Sequence, residues 1–157
     1  MVQLDKIDIR LLQLLQDDAS LSIAQLADSV ALSANACWRR VKQLEEAGVI
    51  RRRVALLDAG LMGCGITVFV AIRTNQHNED WLDTFARGVA DIPEIVEFYR
   101  MSGDVDYLLK VLVADIPHYD RVYKQLIKVT QLTDVSSSFA MERIKYTTAI
   151  PLPRPAA

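Results

Sequence analysis

The run Ser22-Ile23-Ala24-Gln25-Leu26-Ala27-Asp28-Ser29-Val30-Ala31-Leu32-Ser33-Ala34-Asn35-Ala36-Cys37-Trp38-Arg39-Arg40-Val41-Lys42-Gln43-Leu44-Glu45-Glu46-Ala47-Gly48 contains two helices and the bend between them. Ser22 with Gln25 three residues on is a capping box, which opens a short helix. Leu26 and Val30 face inward, and Ala31-Leu32 make a tight turn. Ser33 caps the next helix, which runs to Glu46 and stops at Gly48, a residue at ease in the left-handed conformation. Cys37, Val41 and Leu44 recur at helical spacing and mark its buried side. Toward the N-terminus, Leu4 to Asp18 is periodic, with Ile7, Leu11, Leu14 and Leu15 on one face. Asp5 is its N-cap, and Leu4 and Ile9 can staple around it. Three helices in about fifty residues, the last two joined by a short turn, form a helix-turn-helix.

Beyond Gly48, Val49 to Leu57 alternates weakly and is expected to be an extended wing or the start of a linker strand. Gly60, Gly63 and Gly65 mark a domain boundary. The period then changes from helix-like to alternating. Ile66, Val68, Val70 and Ile72 predict a half-buried strand. Asn78 to Asp91 predicts a helix with Leu82, Phe85 and Val89 inward, ended by Pro93. Ile95 to Met101 predicts a strand, and Ser102-Gly103-Asp104 a turn. Tyr107, Leu109, Val111 and Val113 alternate on one strand face. A helix capped by Asp115 carries Tyr119, Val122, Leu126 and Val129. Asp134 to Ile150 is expected to be one long strand region, and Pro151, Pro153 and Pro155 a loose tail. The expected fold is therefore α+β: an N-terminal winged helix-turn-helix and a C-terminal ferredoxin-like βαββαβ domain. The expected boundaries are 1–52 for the first domain, 53–64 for a hinge strand or linker, 65–150 for the second domain and 151–157 for the tail. Both helices of such a unit cover one sheet face, so the bare face needs a partner, and a homodimer is expected.

The chain has 157 residues, 51% apolar and 24% charged, which suits a globular protein and not a disordered one. Its net charge of −2 carries no polyanion signal, but the distribution does. Between Ser33 and Arg53, six bases (Arg39, Arg40, Lys42, Arg51, Arg52, Arg53) meet two acids; from Met62 onward ten bases meet twelve acids. A basic patch on an acidic protein is the footprint of a nucleic-acid surface, although a solvated helix face looks the same by charge alone. Cys37 and Cys64 stand far apart, in no disulfide or zinc-like spacing. No apolar run approaches the roughly 20 residues that span a bilayer. The start of the chain is charged and helix-like, so a cytoplasmic protein with no membrane partner is expected.

The third helix carries the most chemistry. At a step of about 100° per residue from Cys37, Asn35, Arg39 and Lys42 fall near 160°, 200° and 140°, on the outward face. Asn bonds the adenine edge bidentately and Arg the guanine edge. Arg40, on the flank nearer the core, with Lys42, Arg51, Arg52 and Arg53, suits phosphates, as do Ser33 and the helix N-terminus; Ala34 is also expected at the DNA surface. Trp38 lies on the flank, where it packs against the domain or reaches a thymine methyl or sugar; packing is the expectation. Cys37 is expected to be an inert core residue. In the second domain, Met101-Ser102-Gly103-Asp104-Val105-Asp106-Tyr107 combines two carboxylates with turn backbone, which can bind a small zwitterion or simply turn the chain. Ser136, Ser137 and Ser138 can donate to a ligand, or face solvent or a neighbouring subunit. His77 and His118 accompany no nucleophile, phosphate loop or metal cluster and are expected at the surface.

Several stretches, in order and at their separations, resemble the Lrp/AsnC family, the leucine-responsive or feast/famine regulators. They are Leu4-Asp5-Lys6-Ile7-Asp8, Leu32-Ser33, Cys37-Trp38-Arg39-Arg40-Val41-Lys42-Gln43-Leu44-Glu45, Gly48-Val49-Ile50, Gly103-Asp104-Val105-Asp106-Tyr107-Leu108-Leu109 and Ser136-Ser137-Ser138-Phe139. The resemblance covers nearly the whole chain. It implies a DNA-binding transcriptional regulator and not an enzyme, with a small effector, commonly an amino acid, and no cofactor or metal. It also implies dimers built through the C-terminal sheets that assemble into octamers. Effectors of the family bind between dimers near the turn corresponding to Met101, Ser102, Gly103, Asp104 and Asp106 with Tyr107. Neighbouring subunits contribute from the strand of Asp134, Ser136, Ser137 and Ser138. Cys37-Trp38 and the run Glu142 to Thr148 look most like the cysteine-responsive branch. Asn35 and Ala36 stand where many relatives carry Pro or Thr, so no base preference carries over. The rival classes are an enzyme, since sirohaem decarboxylases look similar but depend on histidine and a basic pocket, and an architectural DNA-binding protein that ignores small molecules.

Overall fold

The computed structural model describes residues 3–76 and 78–153. The elements are α1 (Lys6–Asp17), α2 (Ile23–Ser29), α3 (Ala34–Glu46), β1 (Ile66–Arg73), α4 (Glu79–Ala90), β2 (Ile95–Arg100), β3 (Tyr107–Val113), α5 (Ile116–Val129) and β4 (Asp134–Phe139). The described residues form two compact units. One holds the chain up to Ala55 together with the residues from Lys145 onward; the other is Leu56–Ile144.

In the first unit each helix start is satisfied by a side chain, because the first amides of a helix have no partner within it. Asp5 Oδ1 accepts from the amides of Ile7 and Asp8, and Asp8 Oδ2 accepts from the Asp5 amide. Ser22 and Gln25 form the second box, and Ser33 Oγ accepts from the Ala36 amide. Between α2 and α3 the chain reverses through Ala31 at φ 54°, with the Leu32 amide bonded to the Ala27 carbonyl. The core cluster is Leu11, Leu26, Ala27, Cys37 and Val41, with Ile7, Leu14, Leu15 and Ile50 packed against it. The wing or linker strand expected after Gly48 does not form as a strand: residues 51–58 take no regular structure and are exposed. Residues from Lys145 return to this unit, where the Ile150 amide donates to Gln16 Oε1 (2.7 Å) and Gln16 Nε2 donates to the Ile150 carbonyl (3.3 Å).

The second unit is a four-stranded antiparallel sheet in the order β2-β3-β1-β4, with α4 and α5 on one face. Alternation places Val68, Val70 and Ile72 of β1 and Tyr107, Leu109, Val111 and Val113 of β3 beneath Trp81, Phe85, Tyr119, Val122 and Leu126 of the helices. The helices approach closely at Gly88, where an added Cβ would lie 2.2 Å from Val129 Cγ1. The long strand expected from Asp134 to Ile150 stops at Phe139. Phe139 pairs with Val68 and the Ala140 amide reaches the Thr67 carbonyl, so β4 has almost run off the start of β1 at Ile66 and has no further ladder to join. The tail expectation falls partly on Pro155, which lies outside the described residues.

The opposite sheet face carries no helix of this unit. Phe69 and Tyr99 are exposed there, 40% and 50%, beside half-buried Leu108 and Leu112. Its centre is polar: Lys110 Nζ lies 2.7 Å from Glu97 Oε1, and the Tyr99 hydroxyl donates to Glu97 Oε2 at 2.6 Å.

Candidate nucleic-acid interface and effector turn

Cys37, Val41 and Leu44 anchor α3 by its buried side. Burial pushes the Cys37 thiol above its ordinary range, as suits a core residue. The opposite side leaves Ser33, Ala34, Asn35, Arg39 and Lys42 exposed. Arg39, Arg51 and Arg52 make no ion pair among the described residues. Lys42 Nζ sits 5.0 Å from the centre of the Trp38 ring and 3.8 Å from Glu46. Trp38 is not packed away as expected; it is 47% exposed on the same side as Lys42. Arg53 is paired with Glu45 at 3.1 Å.

Arg40 departs from the phosphate role expected of it. Its Nη1 lies 2.7 Å from Asp5 Oδ2 and 2.8 Å from Asp8 Oδ1, so the guanidinium is turned back onto the start of α1. The Asp8 amide, with Arg40 beside it, holds the Asp5 carboxyl below its ordinary range, and the two carboxylates raise Arg40 in turn. Helical spacing puts Arg40 on the flank of α3 nearer the core, but it does not name the partners, which are 35 and 32 residues away in sequence.

In the second unit the turn between β2 and β3 closes through the Met101 amide and Asp106 carbonyl (2.8 Å), with Gly103 at φ 113°. Met101, Ser102, Gly103 and Asp104 are exposed. Asp106 Oδ2 accepts from the Thr74 amide at 2.8 Å, tying the turn to the end of β1. Tyr107 cannot present its ring to a ligand at the surface. It is 4% exposed and packed among Trp81, Phe85 and Phe98, on the buried face that strand alternation assigned to it. The three serines also divide. Ser136 and Ser138 are exposed, opposite Ala71 and Phe69, whereas Ser137 faces the helices and hydrogen-bonds the Tyr119 hydroxyl.

Arg73 was not singled out from sequence, yet it joins the two halves of this region. Its Nε donates to the Asp104 carbonyl at 2.7 Å, and its Nη1 is 3.6 Å from Asp134 Oδ2. The available signal was its place at the end of an alternating strand, facing away from the core. Beside Asp134 lies a groove of about 820 Å³ lined by Asn75, Tyr123, Ile127, Lys128 and Thr133; of the residues expected to bind effector, only Asp134 lines it. His118, expected at the surface, is half-buried: its Nδ1 accepts from the Ala114 amide (3.3 Å) and its Nε2 meets Glu94 at 2.9 Å. That contact lowers the Glu94 pKa. His77 lies outside the described residues. No helix among the described residues is long and apolar enough to cross a membrane.

Two family profiles match the chain. Residues 4–51 match the winged helix-turn-helix DNA-binding family profile, and residues 67–150 match that of the Lrp/AsnC ligand binding domain. The chain is 54% identical over 151 residues to the glutamate uptake regulatory protein of Zymomonas mobilis, covering 96% of this chain and 92% of that protein. It is 49% identical over 150 residues to the DNA-binding transcriptional activator DecR of Escherichia coli, covering 95% and 99%. Among solved structures, an AsnC family transcriptional regulator from Agrobacterium tumefaciens superposes with a TM-score of 0.91 at 55% identity, covering 94% of this chain and 97% of that one. A Neisseria meningitidis transcriptional regulator solved in complex with L-Met gives 0.89 at 35% identity, covering 95% and 97%.

Proposed function

The chain belongs to the Lrp/AsnC family of DNA-binding transcriptional regulators, and from that premise we propose that it reads double-stranded DNA through α3 under the control of an amino acid. The observation that carries the reading is the outward face of α3: Asn35, Arg39 and Lys42 stand exposed on a helix fixed by Cys37, Val41 and Leu44. Asn35 and Arg39 are assigned to base edges. Ser33, Ala34, Lys42, Arg51, Arg52 and Arg53 are assigned to phosphates, and Trp38 to the groove wall. The effector is assigned to the neighbourhood of Met101, Ser102, Gly103, Asp104, Asp134, Ser136 and Ser138. An amino acid is the class favoured by the Neisseria relative's complex with L-Met. The open sheet face, with Phe69 and Tyr99, is assigned to a second copy of the chain, and dimers to a larger ring such as an octamer. Effector control then requires unequal affinity of the amino acid for two arrangements of the subunits.

The test is a gel-shift at fixed salt with DNA selected by the protein from a random pool, run with and without L-Met, L-Cys and L-Glu. The expected result is a band whose midpoint one amino acid moves at least fivefold, a typical coupling. Asp104→Ala is expected to keep DNA binding and lose that shift. Binding indifferent to sequence would support the architectural reading. A normal amino-acid response from Asp104→Ala would remove the assignment of the turn.

A further inference from the structure

We infer that Arg40 is a positioning residue for DNA reading, which fixes the tilt of α3 on α1 and does not touch phosphate; this rests on the reading of α3 as the DNA-contacting helix. One nitrogen of the guanidinium meets two carboxylates, Asp5 Oδ2 at 2.7 Å and Asp8 Oδ1 at 2.8 Å. Neither carboxylate is free to follow it. The other oxygen of Asp5 accepts from the Ile7 and Asp8 amides, and the other oxygen of Asp8 accepts from the Asp5 amide. Each acid therefore caps α1 with one oxygen and holds Arg40 with the other, so the latch is built into the helix start, where negative charge is also favoured by the helix dipole.

The two helices also share apolar contacts, with Leu11 of α1 in one cluster with Cys37 and Val41 of α3. Apolar contacts hold helices together but are non-directional, whereas charge-assisted hydrogen bonds have a fixed geometry. Arg40 stands at the middle of α3. That helix is roughly 20 Å long at about 1.5 Å per residue, so a tilt of a few degrees moves its ends by about half an ångström. Hydrogen bonds to base edges tolerate little more than that. The sign of the charge agrees: two carboxylates against one guanidinium leave the latch acidic, which disfavours a phosphate beside it.

The experiment measures the affinity of the full chain, as a function of KCl, for its selected DNA and for a scrambled duplex of equal length. Wild type, Arg40→Met, Asp8→Asn and the double variant are compared, with folding checked by circular dichroism. Arg40→Gln, which keeps a donor, replaces Arg40→Met if the latter does not fold. The latch predicts that both single variants lose about tenfold or more of the selected-over-scrambled ratio. The double variant should lose no more than either single, and Arg40→Met should leave the salt slope unchanged. A slope reduced by about 0.9 in Arg40→Met, with the ratio kept in Asp8→Asn, makes Arg40 a phosphate contact and overturns the proposal. A ratio unchanged in both, with only the melting temperature lowered, overturns it as well. If the wild type selects no sequence, the sequence-reading function falls, and the salt slope on the fixed duplex still decides whether Arg40 meets phosphate.

Discussion

Two adjacent arginines on α3 have opposite fates. Arg39 projects from the helix without an ion-pair partner among the described residues, while Arg40 is folded back between Asp5 and Asp8. The difference is one helical step of about 100°, which turns one side chain toward solvent and the next toward α1. Arg39→Ala is therefore expected to weaken binding to selected DNA by about 1–3 kcal/mol and to relax preference at one base position, read by repeating the selection with the variant. The Asp5 carboxyl titrates below its ordinary value of 3.8 in the folded chain, so its contribution to stability is complete above that value and is lost as pH falls through the lower folded one. Asp5→Asn is expected to flatten the acid limb of a stability-pH profile below about pH 4, with little change in slope near neutrality. An unchanged acid limb would mean that the carboxylate is not held by α1 and Arg40 in solution.

At the scale of elements, α4 and α5 are set by a single missing side chain. Gly88→Ala brings a methyl to 2.2 Å from Val129 Cγ1, 2.9 Å from its Cγ2 and 3.1 Å from its Cβ, too near the backbone for a rotamer change to clear it. Alanine is the better helix former by about 1 kcal/mol, but overpacking costs about 1–3 kcal/mol. A net loss of stability is expected by urea titration, relieved when Val129→Ala is added. Most elements could be read from sequence because their signals are local. The capping pairs Ser22 with Gln25 and Asp115 with the His118 amide lie within one turn, and the strands alternate. Tyr107 shows the limit of a borrowed role. Alternation with Leu109, Val111 and Val113 put it in the core, the resemblance put it at the effector turn, and the core reading is the one found. The end of β4 was not legible because it depends on where β1 begins in the register, and neither strand states that alone. Arg73 and the Arg40 latch were hidden for the same reason: their partners are assembled by the fold.

For the whole molecule, the uncovered sheet face is the feature that asks for a second copy. Phe69 pairs across the ladder with Lys110, which already holds Glu97, and is 40% exposed, so the carboxylate of Phe69→Glu is expected to stay solvated in the single chain. The same carboxylate would be buried against its own copy in a two-fold dimer. Sedimentation velocity is expected to show the wild type as a dimer or larger and Phe69→Glu as a folded monomer. An unaltered assembly would place the subunit contact elsewhere. The return of the chain from Lys145 to the first unit bears on how the protein is made. Gln16 is synthesised early and then waits through more than a hundred residues for both of its Ile150 hydrogen bonds. A chain cut short before Ile150 would thus hold its helix-turn-helix without these two hydrogen bonds. The first helix of the DNA-binding unit is finished by a segment that follows the whole of the second unit in sequence.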